Sequence, residues 1–100
     1  MKIAIAAKQE KIDSEVADIS ARAPFYLIFE NKKQIKTIKN PFQFGGGGAS
    51  YSVAQMLSNE NVGLVVAGNF GQNMVDALGE KHIKYKVVKN KKVKDIMGEI

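Results

Sequence analysis

The sequence predicts an α/β protein with a mixed five-stranded sheet and helices on its faces. Two apolar runs separated by a polar turn predict an early β-hairpin. The rest of the chain alternates between helical and strand patterns, which indicates further strands connected through helices. The length of 100 residues suits one small domain covering residues 1–100.

The first half of the chain predicts three strands. Ile3–Ala7 is short, apolar and β-branched at alternate positions, and Ser14–Asp18 predicts a helical turn after it. Pro24–Phe29 is almost continuously apolar, which favours a central strand buried on both faces. Polar Glu30–Lys33 predicts the hairpin turn. Gln34–Lys39 predicts a solvent-exposed edge strand whose lysines discourage further pairing.

The second half alternates between helices and strands. Apolar residues at helical spacing predict three helices. The first follows a glycine run, contains Val53, Ala54, Met56 and Leu57, and ends near Ser58–Asn61. The second covers Asn73–Lys81, and the third carries the apolar stripe Val93, Ile96, Met97 and Ile100. The predicted strands are Val62–Ala67 and Ile83–Val88, and the turns Gly68–Gly71 and Lys89–Lys92 follow them.

These elements predict how the sheet is ordered. Right-handed crossovers favour the strand order 3-2-1-4-5 with strand 2 antiparallel to the others. The loops around residues 8–23, 40–49 and 68–73 then follow parallel strands and meet at the carboxyl end of the sheet. Chain order reverses between strands 1 and 4, and ligands of open α/β sheets favour such switch points. The sequence therefore predicts a ligand site at this end of the sheet.

Composition excludes several classes of protein. Apolar residues make up 45% and charged residues 25%, as in ordinary globular proteins. No apolar run approaches the roughly 18 residues that span a bilayer, and the short apolar run at the start predicts a strand, not a signal peptide. The absence of cysteine excludes disulfides, thiolate metal sites and a cysteine nucleophile. A cytoplasmic protein that does not contact the membrane is expected.

The net charge of +5 raises the question of a nucleic-acid partner. Half of the lysines lie between Lys81 and Lys94, but Arg22 is the single arginine, and arginine is the side chain that forks onto guanines and phosphates. A solvated lysine-rich face is therefore favoured over nucleic-acid binding. A nucleic-acid-binding module that uses the lysines near the C-terminus stays open as the alternative.

Several short motifs follow one another along nearly the whole chain. They are Ser14-x-Val16, Arg22-Ala-Pro-Phe-Tyr-Leu-Ile-Phe29, Asn40-Pro-Phe42, the glycines before a helix, Val66-Ala-Gly-Asn-Phe-Gly-Gln-Asn73 and Ala77-Leu78. Together they resemble the dinitrogenase iron–molybdenum cofactor biosynthesis family, which includes NifX, NafY and the C-terminal part of NifB. The resemblance implies a ribonuclease H-like, three-layer α/β/α fold. For nitrogenase-linked members it also implies carriage of an iron–sulfur or iron–molybdenum cofactor precursor.

One departure from the family pattern concerns the metal cluster. Typical members carry His-Phe-Gly before the Arg-Ala-Pro, and the histidine there would be a cluster ligand. This chain has Ile19, Ser20 and Ala21 at those positions, and His82 is predicted at the opposite end of the sheet. With no cysteine either, the sequence does not support thiolate or imidazole ligation of a cluster. No metal-ligating residue is predicted, and the cofactor is left unassigned.

The residues of the predicted sheet also bear on catalysis. Ribonuclease H-like enzymes need several carboxylates that converge on divalent ions, one of them on the first strand. Here the first strand, Ile3–Ala7, has no carboxylate, and the fourth ends in Ala67-Gly68. We therefore expect a protein that is not an enzyme and has no catalytic residue.

The four glycines Gly45, Gly46, Gly47 and Gly48 are the first candidate site segment. They fit neither a Walker A loop nor a dinucleotide fingerprint. Glycines nevertheless allow close backbone approach, and the amides at a following helix start favour an anion, with the hydroxyls of Ser50 and Ser52 as further donors. The alternative is a plain flexible connection in which Ser50 caps the helix.

The segment Gly68-Asn69-Phe70-Gly71-Gln72-Asn73 is the second candidate. Its backbone amides and the side chains of Asn69, Gln72 and Asn73 are predicted to face a polar or anionic ligand. The alternative is turn chemistry, in which Gly68 and Gly71 supply special φ values and Asn73 caps the helix.

Arg22 enters the same end of the sheet just before strand 2 and is predicted to clamp an anion. The alternative is an ion pair with Asp18 or Glu15. Three phenylalanines of these loops either wall a pocket or cover the end of the sheet: Phe42, Phe44 and Phe70.

The leading hypothesis is a non-enzymatic binding or carrier protein. Its site for an anionic small ligand or metallocluster would be built from the loops at 45–52 and 68–73 together with Arg22. A protein-interaction or regulatory domain, monomeric or weakly dimeric through an exposed sheet edge, is the further alternative beside the nucleic-acid-binding module.

Overall fold

The structure, a computed structural model, describes residues 1–46 and 48–99. The strands are β1 (Lys2–Ala7), β2 (Phe25–Glu30), β3 (Lys33–Lys39), β4 (Val62–Ala67) and β5 (Lys84–Val87), and the helices are α1 (Ala49–Asn59), α2 (Gln72–Glu80) and α3 (Val93–Glu99). A single 3₁₀ turn spans Ser20–Arg22. The predicted residues Gly47 and Ile100 lie outside the described part of the chain.

The sheet has the predicted strand order β3-β2-β1-β4-β5. The central strand β1 pairs antiparallel with β2 and parallel with β4, while β3 is antiparallel to β2 and β5 is parallel to β4. All strands except β2 therefore run in the same direction, so the carboxyl ends of β1, β3, β4 and β5 lie at one end of the sheet. The loops at residues 8–19, 40–46, 68–71 and 88–92 follow these ends.

The β2–β3 hairpin forms where the sequence predicts it. Its turn contains Asn31 and Lys32, with φ angles of 53° and 64°, which is the conformation of a type I′ hairpin turn. The pairing register shifts between Ile28 and Phe29, so β3 carries an irregularity along the outer edge of the sheet. On the same strand, Lys36 lies 2.8 Å from Glu60 in an exposed ion pair.

Two apolar layers confirm the predicted three-layer α/β/α architecture. One face of the sheet packs against α1 and α2 through side chains such as Tyr26, Leu57 and Leu78. The other packs against α3, with Ile5 and Ile96 among its fully buried residues. Because β1 contributes to both layers, its almost entirely apolar sequence places it at the centre of the sheet. None of the described helices combines the length and the apolar character needed to cross a membrane.

The predicted helical turn at Ser14–Asp18 is wrong. The segment is extended, because its backbone groups bond to β1, to the residue after β4 and to the chain around the start of α3, and not to one another. The amide of Ala17 donates to the carbonyl of Ala6 at 2.8 Å, and its carbonyl accepts from the amide of Gly68 at 2.9 Å. Val16 also forms an isolated bridge with Ala7. Residues 14–17 therefore lie across the carboxyl ends of β1 and β4 and bring the chain to the 3₁₀ turn.

Candidate functional site

A cleft of about 400 Å³ opens at the carboxyl end of the sheet. It lies between the 3₁₀ turn and the first turns of α1 and α2, and we call it the rim cleft. It is lined by Ile19, Ser20, Ala21, Arg22, Gly46, Ala49, Ser50, Gly71, Gln72, Asn73 and Met74. The two helices follow β3 and β4, so the sheet topology brings their N-termini to the same place.

Both helix N-termini present backbone amides to the rim cleft. The first amides of a helix have no partner within the helix, and they carry its partial positive charge. The residues before the helices, Gly48 and Gly71, make no side-chain cap, and neither first turn contains an acidic residue. The amides of the first turns, including those of Ser50 and Asn73, are therefore placed to receive an anion.

Arg22 is the charged residue of the rim cleft. Among the described residues, no carboxylate lines the cleft itself, although Asp18 shares a neighbouring pocket with Arg22. The predicted alternative, an ion pair of Arg22 with Asp18 or Glu15, is not formed in the described structure, where Asp18 lies 3.7 Å from Lys8 instead. Arg22 and the amides of the two helix N-termini are therefore the positive groups of the described cleft lining.

Ser20 also borders the rim cleft and is not in the predicted set of site residues. The residue is 0% exposed, and its Oγ has no hydrogen-bond partner among the described residues. A buried hydroxyl without a partner costs free energy, and such groups call for an explanation such as a ligand. By the resemblance described above, Ser20 stands where this chain departs from the family pattern, but that departure does not indicate a buried, unpaired hydroxyl.

Tyr26 supports the 3₁₀ turn from below. Its ring is fully buried in the layer under α1 and α2, and its hydroxyl donates a hydrogen bond to the backbone carbonyl of Ser20. Burial raises the pKa of the Tyr26 hydroxyl well above its ordinary value. The folded protein therefore holds this side chain neutral and fixes the turn that carries Arg22.

Replacing Tyr26 with phenylalanine is expected to lower the free energy of unfolding by about 1 kcal/mol at pH 7, the contribution of one hydrogen bond. The raised pKa adds a pH dependence. The unfolded chain ionises this tyrosine above its ordinary pKa of about 10, while the folded protein keeps it neutral. The free energy of unfolding is therefore unaffected below pH ~10 and falls by about 1.4 kcal/mol per pH unit above it. The wild type should therefore lose stability faster than Tyr26→Phe above pH ~10.

Urea unfolding at neutral and alkaline pH measures both effects. Tyr51→Phe is the matched control, because this tyrosine is 47% exposed and should change neither the stability nor its pH dependence. If the free energy of unfolding falls equally steeply with pH above pH ~10 in the wild type and in Tyr26→Phe, the buried hydroxyl does not contribute to the loss of stability.

Asn40 fixes the opposite side of the same turn. Its side chain is buried, and Nδ2 donates to the carbonyls of Ala21 at 3.1 Å and Ala23 at 2.9 Å. Its Oδ1 accepts from the amide of Phe42 at 2.9 Å. One side chain thus joins the segment that carries Arg22 to the loop that leads into the glycine run. In the sequence, Asn40 is recognisable as part of the Asn40-Pro-Phe42 motif, but nothing there predicts these hydrogen bonds.

The glycine run is divided between different local roles. Gly46 lines the rim cleft, and Gly48 immediately precedes α1. The amide of Gly45 instead donates to the carbonyl of Phe42 at 2.9 Å, in a turn before the cleft. Ser50 lies within the first turn of α1 and lines the cleft, so its predicted alternative role as the N-cap is wrong.

The segment 68–73 is likewise divided. Gly71, Gln72 and Asn73 line the rim cleft, although the side-chain amide of Gln72 is bonded to Asp76 at 2.8 Å. Gly68 and Asn69 line a separate pocket of about 210 Å³. No described glycine has a positive φ, so the proposed special φ values of Gly68 and Gly71 are wrong. Asn73 lies inside α2 and is not its cap.

The three phenylalanines do not wall the rim cleft. Phe42 is partly buried against the core, and Phe70 packs on Tyr85 with a ring-centroid distance of 4.8 Å. Phe44 is 88% exposed. Phe42 and Phe70 therefore cover the end of the sheet, which is the second of the two roles predicted for them, and do not wall a pocket there.

The donor set of the rim cleft consists of amides, hydroxyls and a guanidinium. His82, an exposed residue with a φ of 57°, follows α2 at the far end of that helix and is remote from the cleft. Within the described residues, no group of three or more His, Cys, Asp or Glu side chains could hold a metal ion. The cleft can therefore hold an anion by hydrogen bonds and charge, and it offers no imidazole or thiolate ligand.

The fold and the cleft define a small three-layer α/β/α protein with a cleft at a topological switch point, where two helix N-termini meet Arg22. Solved structures with this fold include the apo form of the orange protein from Desulfovibrio gigas, with a TM-score of 0.91 and 22% identity over 98% of this chain and 84% of that one. They also include a NifB-like protein from Thermotoga, TM1290, with a TM-score of 0.84 and 22% identity over 97% and 84% of the two chains. The protein PH0822 matches with a TM-score of 0.79 and 16% identity over 98% and 87%.

The sequence places the protein more specifically. It belongs to the dinitrogenase iron-molybdenum cofactor family, whose model matches residues 1–100. No curated protein matches the sequence significantly. Membership in a family of nitrogenase cofactor accessory proteins supports a binding or carrier role.

Proposed function

We propose that this protein is a small, non-enzymatic carrier that binds an anionic metallocluster, or another anionic ligand, in the rim cleft. The observation that carries the proposal is the meeting of two helix N-termini and Arg22 in a cleft whose described lining contains no carboxylate. Family membership supports the same class of role.

The chemistry of the donors limits how the ligand is held. Backbone amides of the two first turns, the hydroxyl of Ser50 and the guanidinium of Arg22 all donate hydrogen bonds. Such donors recognise the outer oxygen or sulfur atoms of an anion, while the metal of a cluster keeps the ligands that it brings. A ligand held in this way can be released without breaking a bond between metal and protein, which suits a carrier.

Ser20 and the 3₁₀ turn give the cleft a defined wall. The backbone of the turn is already fixed by Tyr26 and Asn40. Binding would therefore order few additional groups, which favours affinity.

The proposal is tested by titrating the protein with molybdate, inorganic phosphate and a synthetic anionic iron–sulfur cluster, followed by calorimetry and amide chemical shifts. At least one of these anions should bind and shift the amides of Ser50, Gln72 and Asn73. Arg22→Gln should weaken that binding about 10- to 100-fold, because it removes a charge-assisted contact. Binding should also weaken as salt is added, since Arg22 is exposed.

Lys89→Gln is the matched control. It removes the same charge from an exposed residue that lines the neighbouring pocket and not the rim cleft. The proposed site is wrong if none of the three anions binds. It is also wrong if Arg22→Gln and Lys89→Gln weaken binding equally, because the effect would then come from net charge alone.

A further inference from the structure

The strand β5 is an edge of the sheet with unused backbone groups. It pairs with β4 on one side and has no strand partner on the other within the described chain. The amide of Val88 donates to the carbonyl of Ala67 at 3.0 Å, so even-numbered residues of this strand direct their backbone groups toward β4. The N–H and C=O groups of Tyr85 and Val87 therefore point outward to solvent.

The side chains of β5 separate into two chemically different faces. Lys84 and Lys86 pair with Leu64 and Val66, which belong to the α3 layer, so both lysines lie on that face. Tyr85 and Val87 lie on the other face, beside α2, where the ring of Tyr85 packs on Phe70. All four residues of the strand are exposed. The edge is thus basic on one face and apolar on the other.

We propose that the β5 edge binds an extended protein segment in which acidic and apolar residues alternate. Strand addition would use the outward backbone groups of Tyr85 and Val87. Side chains of an added strand alternate between the two faces, so its acidic residues would meet Lys84 and Lys86 while its apolar residues would contact Tyr85 and Val87. Neither lysine is committed to an ion pair with another described residue.

The observations favour this occupant over a second copy of the chain or a nucleic acid. Pairing of two β5 strands would gather the lysines of both copies on shared faces, and facing like charges are destabilising. A nucleic acid would use the charge of the lysines and the ring of Tyr85 but would leave the outward amides and carbonyls unused. The other sheet edge, β3, is less suited, because a register irregularity interrupts it and its Lys36 is paired with Glu60.

The test uses a soluble, fluorescent peptide with alternating glutamate and valine and measures its binding to the full chain. The peptide should bind with a dissociation constant below about 1 mM and shift the amides of Tyr85 and Val87. The same peptide with N-methylated backbone amides should bind at least about tenfold more weakly, because it loses backbone hydrogen bonds. The double variant Lys84→Glu/Lys86→Glu should no longer bind the acidic peptide. It should instead bind a second peptide in which every glutamate is replaced by lysine.

Lys33→Glu/Lys39→Glu is the control, because it makes the same change in net charge on exposed residues of β3. The proposal is overturned if the acidic peptide does not bind or if both double variants weaken it equally. If a single-stranded oligonucleotide binds more tightly than the acidic peptide, and if Lys84→Glu/Lys86→Glu removes that binding, the edge binds nucleic acid instead. Concentration-dependent dimerisation that the same variant alters would assign it to a second copy.

Discussion

Replacing Asn40 with alanine is expected to lower the free energy of unfolding by about 3 kcal/mol, with a fall in Tm of about 12–24 °C for a chain of this size. The side chain is 3% exposed and makes three hydrogen bonds, two to the carbonyls of Ala21 and Ala23 and one from the amide of Phe42. Alanine would leave these backbone groups without partners in a region that water reaches poorly, which is costlier than the loss of the bonds themselves.

Thermal and urea unfolding of Asn40→Ala measure the change. Asn59→Ala is the matched control, because Asn59 is exposed and bonds only to Gln55 on the same helix, so its change should stay within about 0.5 kcal/mol. Asn40→Asp keeps the acceptor for Phe42 but sets a carboxylate against two carbonyl oxygens, and it should be no more stable than Asn40→Ala at pH 7. Equal stability of Asn40→Ala and Asn59→Ala would contradict the role assigned to Asn40.

Replacing Gly68 with alanine is expected to lower the free energy of unfolding by about 1–3 kcal/mol and to weaken anion binding in the rim cleft. A Cβ at this position would lie 3.0 Å from both the Cα and the carbonyl oxygen of Asp18, and 3.2 Å from the carbonyl oxygen of Ala17. These are backbone atoms of a segment that is bonded to both β1 and Gly68 itself, so they cannot move aside as a flexible side chain would. The displacement would pass along the chain toward Ser20 and Arg22.

Gly71→Ala separates this effect from a general intolerance of side chains in the loop. Gly71 has a φ of −68°, and a Cβ there would meet no atom within 4 Å, so the substitution should cost only the roughly 0.5–1 kcal/mol by which alanine is the poorer residue before a helix. Unfolding measurements and an anion titration should be carried out on both variants. If Gly68→Ala is as stable as Gly71→Ala, the close approach of Gly68 to Asp18 does not constrain the fold.

Both predictions concern the segment 17–23, which has little regular structure yet forms a wall of the rim cleft. Backbone bonds join it to β1 at Ala17 and to the loop after β4, where the amide of Ser20 donates to the carbonyl of Asn69 at 3.1 Å. Asn40 and Tyr26 add bonds from side chains. These contacts explain how an irregular loop can hold Arg22 in a defined position.

The sheet could be predicted from the sequence because its signals are local. A run such as Val62–Ala67 can only be buried, and the hairpin turn at Asn31 and Lys32 is polar and lies between two strand patterns. The segment Ser14–Asp18 was mispredicted for the opposite reason. Its partners, among them Ala6 and Gly68, are distant in sequence, and nothing in the segment itself records that its backbone bonds go to them.

The location of the candidate site could be predicted from the sequence, but its exact set of residues could not. Topology brought Arg22, the end of the glycine run and the start of α2 to one end of the sheet, as the order of strands implies. The structure divides the segment 68–73, because the backbone of Ala17 and Asp18 passes directly over Gly68, and Gly68 and Asn69 line a separate pocket. The unpaired hydroxyl of Ser20 could not be inferred at all, since burial and missing partners are properties of the packed chain.

The strand order and the end of the sheet where a ligand site is expected follow from the sequence, because periodicity and turn chemistry are local signals and crossover handedness is nearly invariant. The family and its three-layer fold were inferred from the resemblance of several short motifs. Tertiary structure alone decided which residues share the rim cleft and which backbone groups remain available at the β5 edge. Those outcomes depend on hydrogen bonds and close contacts between segments remote in sequence, and such contacts exist only once the chain is packed.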